Sequence, residues 1–310
     1  MRVSFPDVFA VVVAAGPFVY TSKAFVDACL RTKTHYLDIT GEYEVFEAIM
    51  ARHQEAVDAG VALLPGVGMD VVPTDCLASR LKTALPTATH LQMALLPVGG
   101  SVSPGTMKTM VLGIIGGTAV RRNGVIASSS NTRTLDWDNP KLGHVHTAPL
   151  VWGDISTAFR STNIPNIGMY IMVPPGASSL TDSWTGATLK WIASWAAGRW
   201  VLNKLIERYV AGPSAQQNAE GRVHFSGIAW DANTKRIAES SLTTVEGYRL
   251  TALSMIAATH KLETTHKTLS GALTPSLAFG TEYVMEFEHS EWGPLTVRDA
   301  VEGEVEARVI

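Results

Sequence analysis

The sequence predicts an α/β protein: a partial doubly wound parallel sheet with an inserted α+β domain whose sheet is mixed or antiparallel. Three observations favour this class. Apolar runs alternate with amphipathic helical stretches over residues 1–80, as parallel strands joined by helices do. Residues 81–245 contain strand-like runs and a hairpin pattern, which indicate a second sheet. A helical pattern then returns at about 246–287.

The N-terminal elements alternate between strand and helix. Residues 8–14 form a continuous valine-rich run, typical of a strand buried on both faces. Gly16 and Pro17 end this run, and Ser22 is placed to cap the next helix. The predicted order is a strand at 8–14, a helix at 23–32, a strand at 35–39, a helix from about 42 to 59 and a strand at 61–64. This spacing is typical of half of a doubly wound domain.

The middle of the chain has a different pattern. Residues 90–99 and 166–175 look like strands, and residues 221–245 alternate around a polar turn at 231–234. Such a pattern predicts a hairpin within a mixed or antiparallel sheet. The acidic segment after His289 has no clear core period.

Composition and charge exclude several classes of protein. The 310 residues are 46% apolar and 17% charged, with a formal net charge of −3. No block of Lys or Arg is present, so nucleic acid is not expected as a partner. Cys29 and Cys76 lie in apolar helical contexts, which predicts buried free thiols in a reducing compartment. We expect no secretory signal and a cytoplasmic location.

The most membrane-like stretch is a tryptophan-bearing segment at 184–205. Lys190, Arg199 and Lys204 interrupt it, and no run approaches the ~20 apolar residues of a spanning helix. Trp191 and Trp195 fall near helical spacing among these basic residues. A helix that packs in the core or at a dimer interface is favoured over one that lies on a membrane surface.

Three predicted parallel strands end in turns that contain glycine. Ligands bind at the carboxyl ends of the strands in an open parallel sheet. Glycine there allows close approach of the backbone, and the following helix offers free N–H groups. Tight turning or helix capping explains any one turn, but all three together favour a cleft. The turns are Gly16-Pro17-Phe18, Thr40-Gly41-Glu42 and residues 65–70, and the side chains predicted at this edge are Asp38, Thr40, Glu42, Asp70, Thr74 and Asp75.

The same turns carry a family resemblance. "AAGPF" (14–18), "HYLDITGE" (35–42) and "LLPGVGMDVVPTD" (63–75) resemble the saccharopine dehydrogenase-like oxidoreductases, which include trans-acting enoyl reductases. The resemblance continues in order through "SPGTMKTM" (103–110), "AGPSAQQNAEGRV" (211–223), "EGYRLTA" (246–252) and "GALTPSLAFG" (271–280). It therefore covers nearly the whole chain.

The resemblance implies a domain organisation. Such proteins have an NAD(P)-binding Rossmann domain that is interrupted by a second domain, which often mediates dimerisation. We accordingly expect a Rossmann-like half-domain at 1–80, completed by helices that return at about 246–287. Residues 81–245 would form the inserted substrate or dimerisation domain, and residues 288–310 a C-terminal tail. A homodimer, or a pair with a full-length paralogue, is the expected assembly.

The resemblance also implies roles for the turn residues. The cofactor would be NADP or NAD, if one is bound at all, and the substrate a hydrophobic small molecule. Asp70 and Asp75 become candidate catalytic or positioning groups near the reacting bond, and a proton donor at neutral pH would need a raised pKa. The residues expected to border the cofactor are Gly16, Pro17, Phe18, Thr40, Gly41, Glu42, Gly66 and Gly68.

One family feature is not found ahead of the first predicted strand. Family members begin with a strand and a glycine-rich turn that cradles the pyrophosphate, whereas only seven residues, "MRVSFPD", precede residue 8 here. We expect weakened cofactor binding and an open sheet edge. Three explanations compete: a sequence that begins late, a partner subunit that covers the edge, or a remodelled protein without redox chemistry. The glycines at 113–124 have the wrong spacing to substitute.

Three functions follow as hypotheses. The first is hydride transfer between NAD(P)H and a C=C or C=N bond. The second is a redox-inactive isomerase or cyclase that uses the same cleft. The third is a non-catalytic partner subunit held by the tryptophan-bearing segment.

No metal site is predicted. His144 with His146, and His260 with His266, lack the helical spacing of a zinc protease motif, and no Cys or acidic partner is suitably placed nearby in the sequence. Isolated structural or surface histidines are therefore favoured.

Overall fold

A computed structural model describes residues 5, 7–108, 118–129, 134–173, 188, 191–192, 195–264 and 268–308. Its strands are β1 (Ala10–Val13), β2 (His35–Asp38), β3 (Ala62–Leu64), β4 (His90–Val98), β5 (Thr118–Arg122), β6 (Val125–Ser129), β7 (Leu135–Asn139), β8 (Gly143–Pro149), β9 (Asn166–Met172), β10 (Arg222–Asp231), β11 (Arg236–Val245), β12 (Gly271–Ala272), β13 (Glu291–Trp292) and β14 (Thr296–Asp299). Its helices are α1 (Phe18–Thr32), α2 (Tyr43–Met50), α3 (His53–Ala59), α4 (Val72–Ala84), α5 (Asp154–Thr162), α6 (Ala196–Tyr209), α7 (Ala215–Glu220), α8 (Gly247–Thr264), α9 (Pro275–Phe279) and α10 (Glu304–Ala307), with a 3-10 helix at Thr281–Glu286.

The N-terminal strands form a parallel sheet in the order β1-β2-β3-β12. The central strands β2 and β3 are buried along their whole length, as apolar strands covered on both faces should be. Among the described strands β1 pairs with β2 alone, and the preceding Val8 and Phe9 are exposed. The predicted parallel sheet is confirmed, with β1 at its edge.

The inserted region builds a larger mixed sheet in the order β13-β11-β10-β4-β9-β5-β6. Its longest pairing is the antiparallel hairpin of β10 and β11, at the position where alternation predicts one. Asp231 fixes the connecting turn because its carboxylate accepts hydrogen bonds from Asn233 N (2.9 Å) and Thr234 Oγ1 (2.9 Å). A parallel sheet and a mixed sheet together confirm the predicted fold class.

The two sheets share one hydrophobic core. Leu37 and Leu64 of the parallel sheet belong to the same buried cluster as Leu91 and Phe225 of the mixed sheet. Helix α4 lies between them, and it approaches β10 most closely at Gly227, where a Cβ atom would come within 2.7 Å of Leu81 Cδ1. Glycine at this position therefore lets the helix pack directly on the strand.

Residues after Glu246 return to the parallel sheet. Helix α8 packs against the turn after β3, where Ser254 Oγ donates to Val67 O (2.7 Å) and Met69 N donates to Thr251 Oγ1 (3.1 Å). Helical residues are predicted here, but the structure also adds the short strand β12 beside β3. Two residues give too short a run for a strand pattern to be recognised in the sequence.

Two predicted helices differ in their bounds. The helix expected at 23–32 begins earlier, at Phe18, so Ser22 lies inside it and does not cap it. The single helix expected from about 42 to 59 is divided into α2 and α3. Arg52 leaves the helical conformation at the division, and its guanidinium binds Asp27 and Glu55 on either side.

The C-terminal segment is more ordered than its sequence pattern suggests. Strands β13 and β14 both pair with β11, and Val305 is buried in a cluster with Trp230 and Ile237. No elements are predicted for this tail because its strands are too short to show a period. The tail thus extends the mixed sheet.

The tryptophan-bearing segment is described only in part, since residues 184–187, 189–190 and 193–194 lie outside the described residues. Trp191, Trp195 and Trp200 are 62%, 60% and 64% exposed, so the prediction that they pack into the core of this chain is wrong. These outward-facing tryptophans are compatible with the predicted dimer contact or membrane-surface contact. Among the described helices, none is both long and apolar enough to cross a membrane.

Both cysteines are buried and unpaired, as their apolar contexts predict. Burial raises the pKa of the Cys29 thiol to about 12, so a reactive thiolate is not formed there at neutral pH.

Candidate functional site

The turns after β2 and β3 are tied together by Asp38. Its buried carboxylate accepts hydrogen bonds from Tyr36 OH (2.6 Å), Thr40 N (3.0 Å) and Gly66 N (2.8 Å). Burial raises the pKa of Asp38 to about 6, although these three donors oppose the shift. A carboxylate bonded in this way holds the strand ends in register. Asp38 is therefore a positioning group for the turns.

Glu42 caps the first helix of the sheet. Its Oε1 accepts from Phe18 N (2.9 Å) and its Oε2 from Val19 N (2.8 Å), and its own amide donates to Thr40 Oγ1 (3.0 Å). A carboxylate at a helix N-terminus satisfies free N–H groups and complements the helix dipole. The amides predicted to face a cofactor at this helix are thus bound by Glu42.

Replacing Glu42 tests the cap. Glu42→Ala leaves the first amides of α1 without their carboxylate, and we expect the free energy of unfolding to fall by about 1–2 kcal/mol. Glu42→Gln keeps one acceptor oxygen and should lose about half as much. Chemical denaturation of both variants measures the difference. Equal stability of Glu42→Ala and the wild type would contradict the capping role.

The glycines of the third turn are surrounded by protein atoms. Gly66 adopts a φ of +72°, and a Cβ there would lie 2.7 Å from the ring of Phe46. A Cβ on Gly68 would lie 3.0 Å from Thr251 Cγ2 on α8. A left-handed backbone and close packing account for Gly66, and close packing alone accounts for Gly68. Their predicted contact with a cofactor stays a prediction.

Gly41 and Asp70 bring the second and third turns into contact. A Cβ on Gly41 would lie 2.8 Å from Asp70 Oδ2, so the absence of a side chain makes room for the carboxyl group. Burial raises the pKa of Asp70 to about 7, although part of the residue's surface stays accessible. Among the described residues, none donates a hydrogen bond to this carboxyl group. Asp70 is therefore a titratable group without a structural partner, at the end of β3.

Asp75 has a different environment. It is fully buried on α4, where its Oδ2 accepts from Ser276 N (2.7 Å) and its Oδ1 from Ser161 Oγ. Ser161 Oγ in turn lies 2.8 Å from Thr274 Oγ1. Burial raises the pKa of Asp75, against the hydrogen bonds it accepts. These bonds join α4 and α5 to the start of α9, so the structure gives Asp75 a structural role.

A third carboxyl group, which the sequence does not single out, lies beside these two. Asp154 begins α5 and is fully buried, and neither side-chain oxygen forms a well-directed hydrogen bond with the described residues. Burial raises the pKa of Asp154 to about 8; the Thr74 hydroxyl opposes this shift, while the charges of Asp75 and Asp70 add to it. Asp154 is therefore protonated at neutral pH. Asp70, Asp75 and Asp154 constitute the carboxyl cluster.

Asp154 gives a pH-dependent prediction. Between the ordinary pKa of about 4 and the folded value near 8, the folded state holds a proton that the unfolded chain has lost, so this group makes stability fall as pH rises. Asp154→Asn removes this group's contribution to the fall of stability with rising pH. We expect its unfolding free energy, relative to the wild type, to rise by roughly 3 kcal/mol from pH 5 to pH 8.

Urea denaturation at several pH values measures this difference. The exposed Asp58 on α3 provides a matched control, and Asp58→Asn should stay within about 0.5 kcal/mol of the wild type throughout. A difference for Asp154→Asn that does not change with pH would show that Asp154 does not titrate in this way.

The two parts of the chain also meet at an ion pair in which Arg121 is buried and Glu47 is partly exposed. Arg121 of β5 is 3% exposed, and its guanidinium donates to Glu47 Oε1 of α2 (2.5 Å), Ile155 O (2.6 Å) and Gly124 O (2.5 Å). Glu47 additionally accepts from Ser156 Oγ (2.6 Å). Burial favours the neutral form of Glu47, but the Ser156 hydrogen bond and the charges of Arg121 and Arg160 hold its pKa below the usual range. The pair links α2 to the inserted region.

Comparison with known proteins gives a partial sequence match. The chain is 26% identical over 133 residues to a human protein named saccharopine dehydrogenase-like oxidoreductase, and the match covers 41% of this chain and 30% of the relative. Over these residues the chain is similar to the saccharopine dehydrogenase-like oxidoreductases. The resemblance carried by the turn motifs is thereby confirmed. No protein-family model matches the sequence.

A solved structure extends the likeness to the whole fold. The saccharopine dehydrogenase (L-Glu forming) of Saccharomyces cerevisiae matches with a TM-score of 0.58 and 12% identity, over 94% of this chain and 85% of that one. The match shows a saccharopine dehydrogenase-like fold. Another sequence relative, 28% identical over 112 residues, is a Caenorhabditis elegans protein named lipid droplet localized protein; the match covers 34% of this chain and 26% of the relative.

The strand-end turns expected to border a cofactor differ in what they leave accessible. Gly16 and Pro17 are exposed and Gly41 is partly exposed, so their backbone is open to a ligand. The α1 amides, which could otherwise hold a phosphate, are bound by Glu42. The phosphates of a dinucleotide would therefore not be held by the first amides of α1.

One prediction about histidine is corrected. His144 and His146 are not isolated, because Asp138 and Asp136 lie directly opposite them on the neighbouring strand. Sequence spacing hides these partners, since a hairpin turn separates the strands. His260 stays an exposed residue of α8, and His266 lies outside the described residues.

Proposed function

We propose that the chain is an oxidoreductase in which hydride transfer between NAD(P)H and a C=C or C=N bond is coupled to proton transfer from Asp70. The observation that carries this proposal is the Asp70 carboxyl group, which has a pKa of about 7 and lies against Gly41 at the carboxyl end of the sheet. The homologues' name and the shared fold support the redox chemistry. The substrate would be a hydrophobic small molecule.

The proton balance gives Asp70 its role. The bound nicotinamide would supply a hydride, and so two electrons, to one atom of the double bond. The other atom then needs a proton, which the Asp70 carboxyl group can donate because a pKa near 7 leaves it protonated in about half of the molecules at neutral pH. Burial keeps that proton on Asp70, because desolvation disfavours the charged carboxylate.

Calorimetric titration of the folded chain with NADPH and NADH tests the proposal. Saturable binding of either dinucleotide is expected, and its loss in Gly41→Ala would support the turn as the binding surface, because the added methyl group would collide with Asp70. Gly100→Ala, at an exposed position with no atoms within 4 Å and no positive φ, is the matched control. A folded protein that binds neither dinucleotide would exclude redox catalysis by this chain alone.

A second candidate function is an isomerase or cyclase without a redox step. The observation that favours it is the Glu42 carboxylate, which takes up the α1 amides that could bind a phosphate. Asp70 could then remove and return a proton at one carbon. Deuterium uptake from heavy water into a candidate substrate, without any dinucleotide, would distinguish this function from hydride transfer.

A further inference from the structure

The hairpin of β7 and β8 separates its side chains onto two faces. Trp137 and Val145 point inward and are 4% and 9% exposed. Because alternate residues of a strand face opposite sides, their neighbours point outward. The outward group consists of Asp136, Asp138, His144 and His146, whose side chains are between 43% and 91% exposed.

The pairing brings these four residues together. Asp136 lies opposite His146, and Asp138 opposite His144. Directly opposed residues on antiparallel strands have Cβ atoms about 4.5–5.5 Å apart. The imidazole rings of His144 and His146 are also neighbours, with centroids 5.4 Å apart.

The hairpin is held firmly behind this face. Asn139 fixes the turn, since its Oδ1 accepts from Lys141 N (2.9 Å) and Leu142 N (3.1 Å), and its Nδ2 donates to Ser226 Oγ of β10 (3.0 Å). Thr147 Oγ1 donates across the hairpin to Leu135 O (2.8 Å). The four outward side chains therefore project from a preformed backbone.

We propose that Asp136, His144 and His146 form a surface Zn²⁺ site, with Asp138 as the residue that orients His144. One potential ligand atom from each of the three residues lies within 4.8 Å of the other two. His144 Nε2 lies 3.6 Å from Asp136 Oδ2, close to the roughly 3.3 Å between neighbouring ligand atoms of a tetrahedral zinc ion. Imidazole and carboxylate are ordinary zinc ligands.

The other ring nitrogen of His144 supports the assignment. His144 Nδ1 lies 3.1 Å from Asp138 Oδ1, which leaves Nε2 directed at Asp136. Histidine ligands commonly donate their second ring N–H to a carboxylate in this way. One adjustment is needed, because His146 Nδ1 and Asp136 Oδ1 are 2.5 Å apart and must separate by roughly 1 Å to bind one ion. Both side chains are exposed and can rotate.

Three protein ligands leave a coordination position for water or for a small anionic ligand. The ion would cross-link β7 to β8 on the outer face of the mixed sheet. It would lie on a different part of the molecule from the strand-end turns, so the site is independent of the proposed oxidoreductase activity.

Calorimetric titration of the full chain with ZnCl2 tests the site. We expect one zinc ion per chain with micromolar affinity, and at least about tenfold weaker binding in His144→Gln and in His146→Gln. Asp138→Asn should weaken binding about tenfold through the orientation of His144. His260→Gln, at an exposed position of α8, is the matched control and should bind zinc as the wild type does.

Each outcome decides a part of the proposal. Circular dichroism checks that the variants keep the fold, as exposed positions should allow. No saturable binding at submillimolar zinc would overturn the site and leave two exposed His–Asp pairs. Unchanged affinity in His144→Gln and His146→Gln would also overturn it, because the ion would then bind elsewhere. Unchanged affinity in Asp138→Asn alone would overturn the role of Asp138.

Discussion

Asp70→Asn is expected to lower turnover by about 10²–10⁴-fold while the protein remains folded. The amide is nearly the same size as the carboxyl group and fits the space beside Gly41. It has no acidic proton to donate to the substrate. Binding of the substrate and of a dinucleotide should change little, so the effect should lie in kcat. Steady-state kinetics of the two proteins measure it.

The pH profile separates proton donation from a general loss of structure. A donor with a pKa of about 7 is protonated below that value, so wild-type turnover should fall as pH rises through 7. The residual turnover of Asp70→Asn should lack this decline. Glu263→Gln, which neutralises an exposed carboxyl group on α8, is the matched control and should keep the wild-type profile. Full turnover in Asp70→Asn would remove Asp70 from the mechanism.

Arg121→Ala is expected to destabilise the fold by about 2–4 kcal/mol. The guanidinium is nearly inaccessible and donates to one carboxylate and two carbonyl groups. Its removal takes a donor from the Ile155 and Gly124 carbonyl groups and creates space beside the Phe159 ring, over which the guanidinium lies at 4.3 Å. Glu47 is partly exposed and keeps its hydrogen bonds from Ser156 and Arg160, so the cost comes mainly from the two carbonyl groups and the lost packing. Chemical denaturation with a far-UV signal measures the loss.

The neighbouring strand position supplies the control for this variant. Arg122 precedes the same turn but is exposed, so Arg122→Ala should cost no more than about 0.5 kcal/mol. Glu47→Gln keeps the shape of the partner and removes only its charge, and an intermediate loss is expected. A similar small effect in Arg121→Ala and Arg122→Ala would show that the link between α2 and β5 adds little to stability.

The fold class and the strand-end turns can be predicted from sequence because they depend on local patterns. A buried parallel strand needs an apolar run, and a sharp turn toward the next helix needs glycine or proline, so 8–14, 35–39 and 61–64 stand out directly. The hairpin of β10 and β11 is equally visible through its alternation. These features involve neighbours within about ten residues of one another.

The partners of the site residues cannot be predicted in this way. Asp70 and Asp75 belong to one motif, yet Asp75 caps a helix some 200 residues later in the chain through Ser276, and Asp70 has no such partner. Asp154 comes from the inserted region. It stands at the start of an amphipathic helix, and from sequence this position indicates no more than a helix start. The three carboxyl groups differ in how deeply they are buried, and their burial depends on the tertiary packing of α4 against α5.

The continuous core beneath the two sheets restricts how the molecule can move. Leucines of the parallel sheet, of α4 and of the mixed sheet belong to one buried cluster, and separation of the sheets would expose apolar area on both sides. A hinge between domains needs a smaller and more polar interface than this. Access of a ligand to Asp70, which is partly exposed, would therefore not depend on separation of the sheets, and the two halves should unfold together.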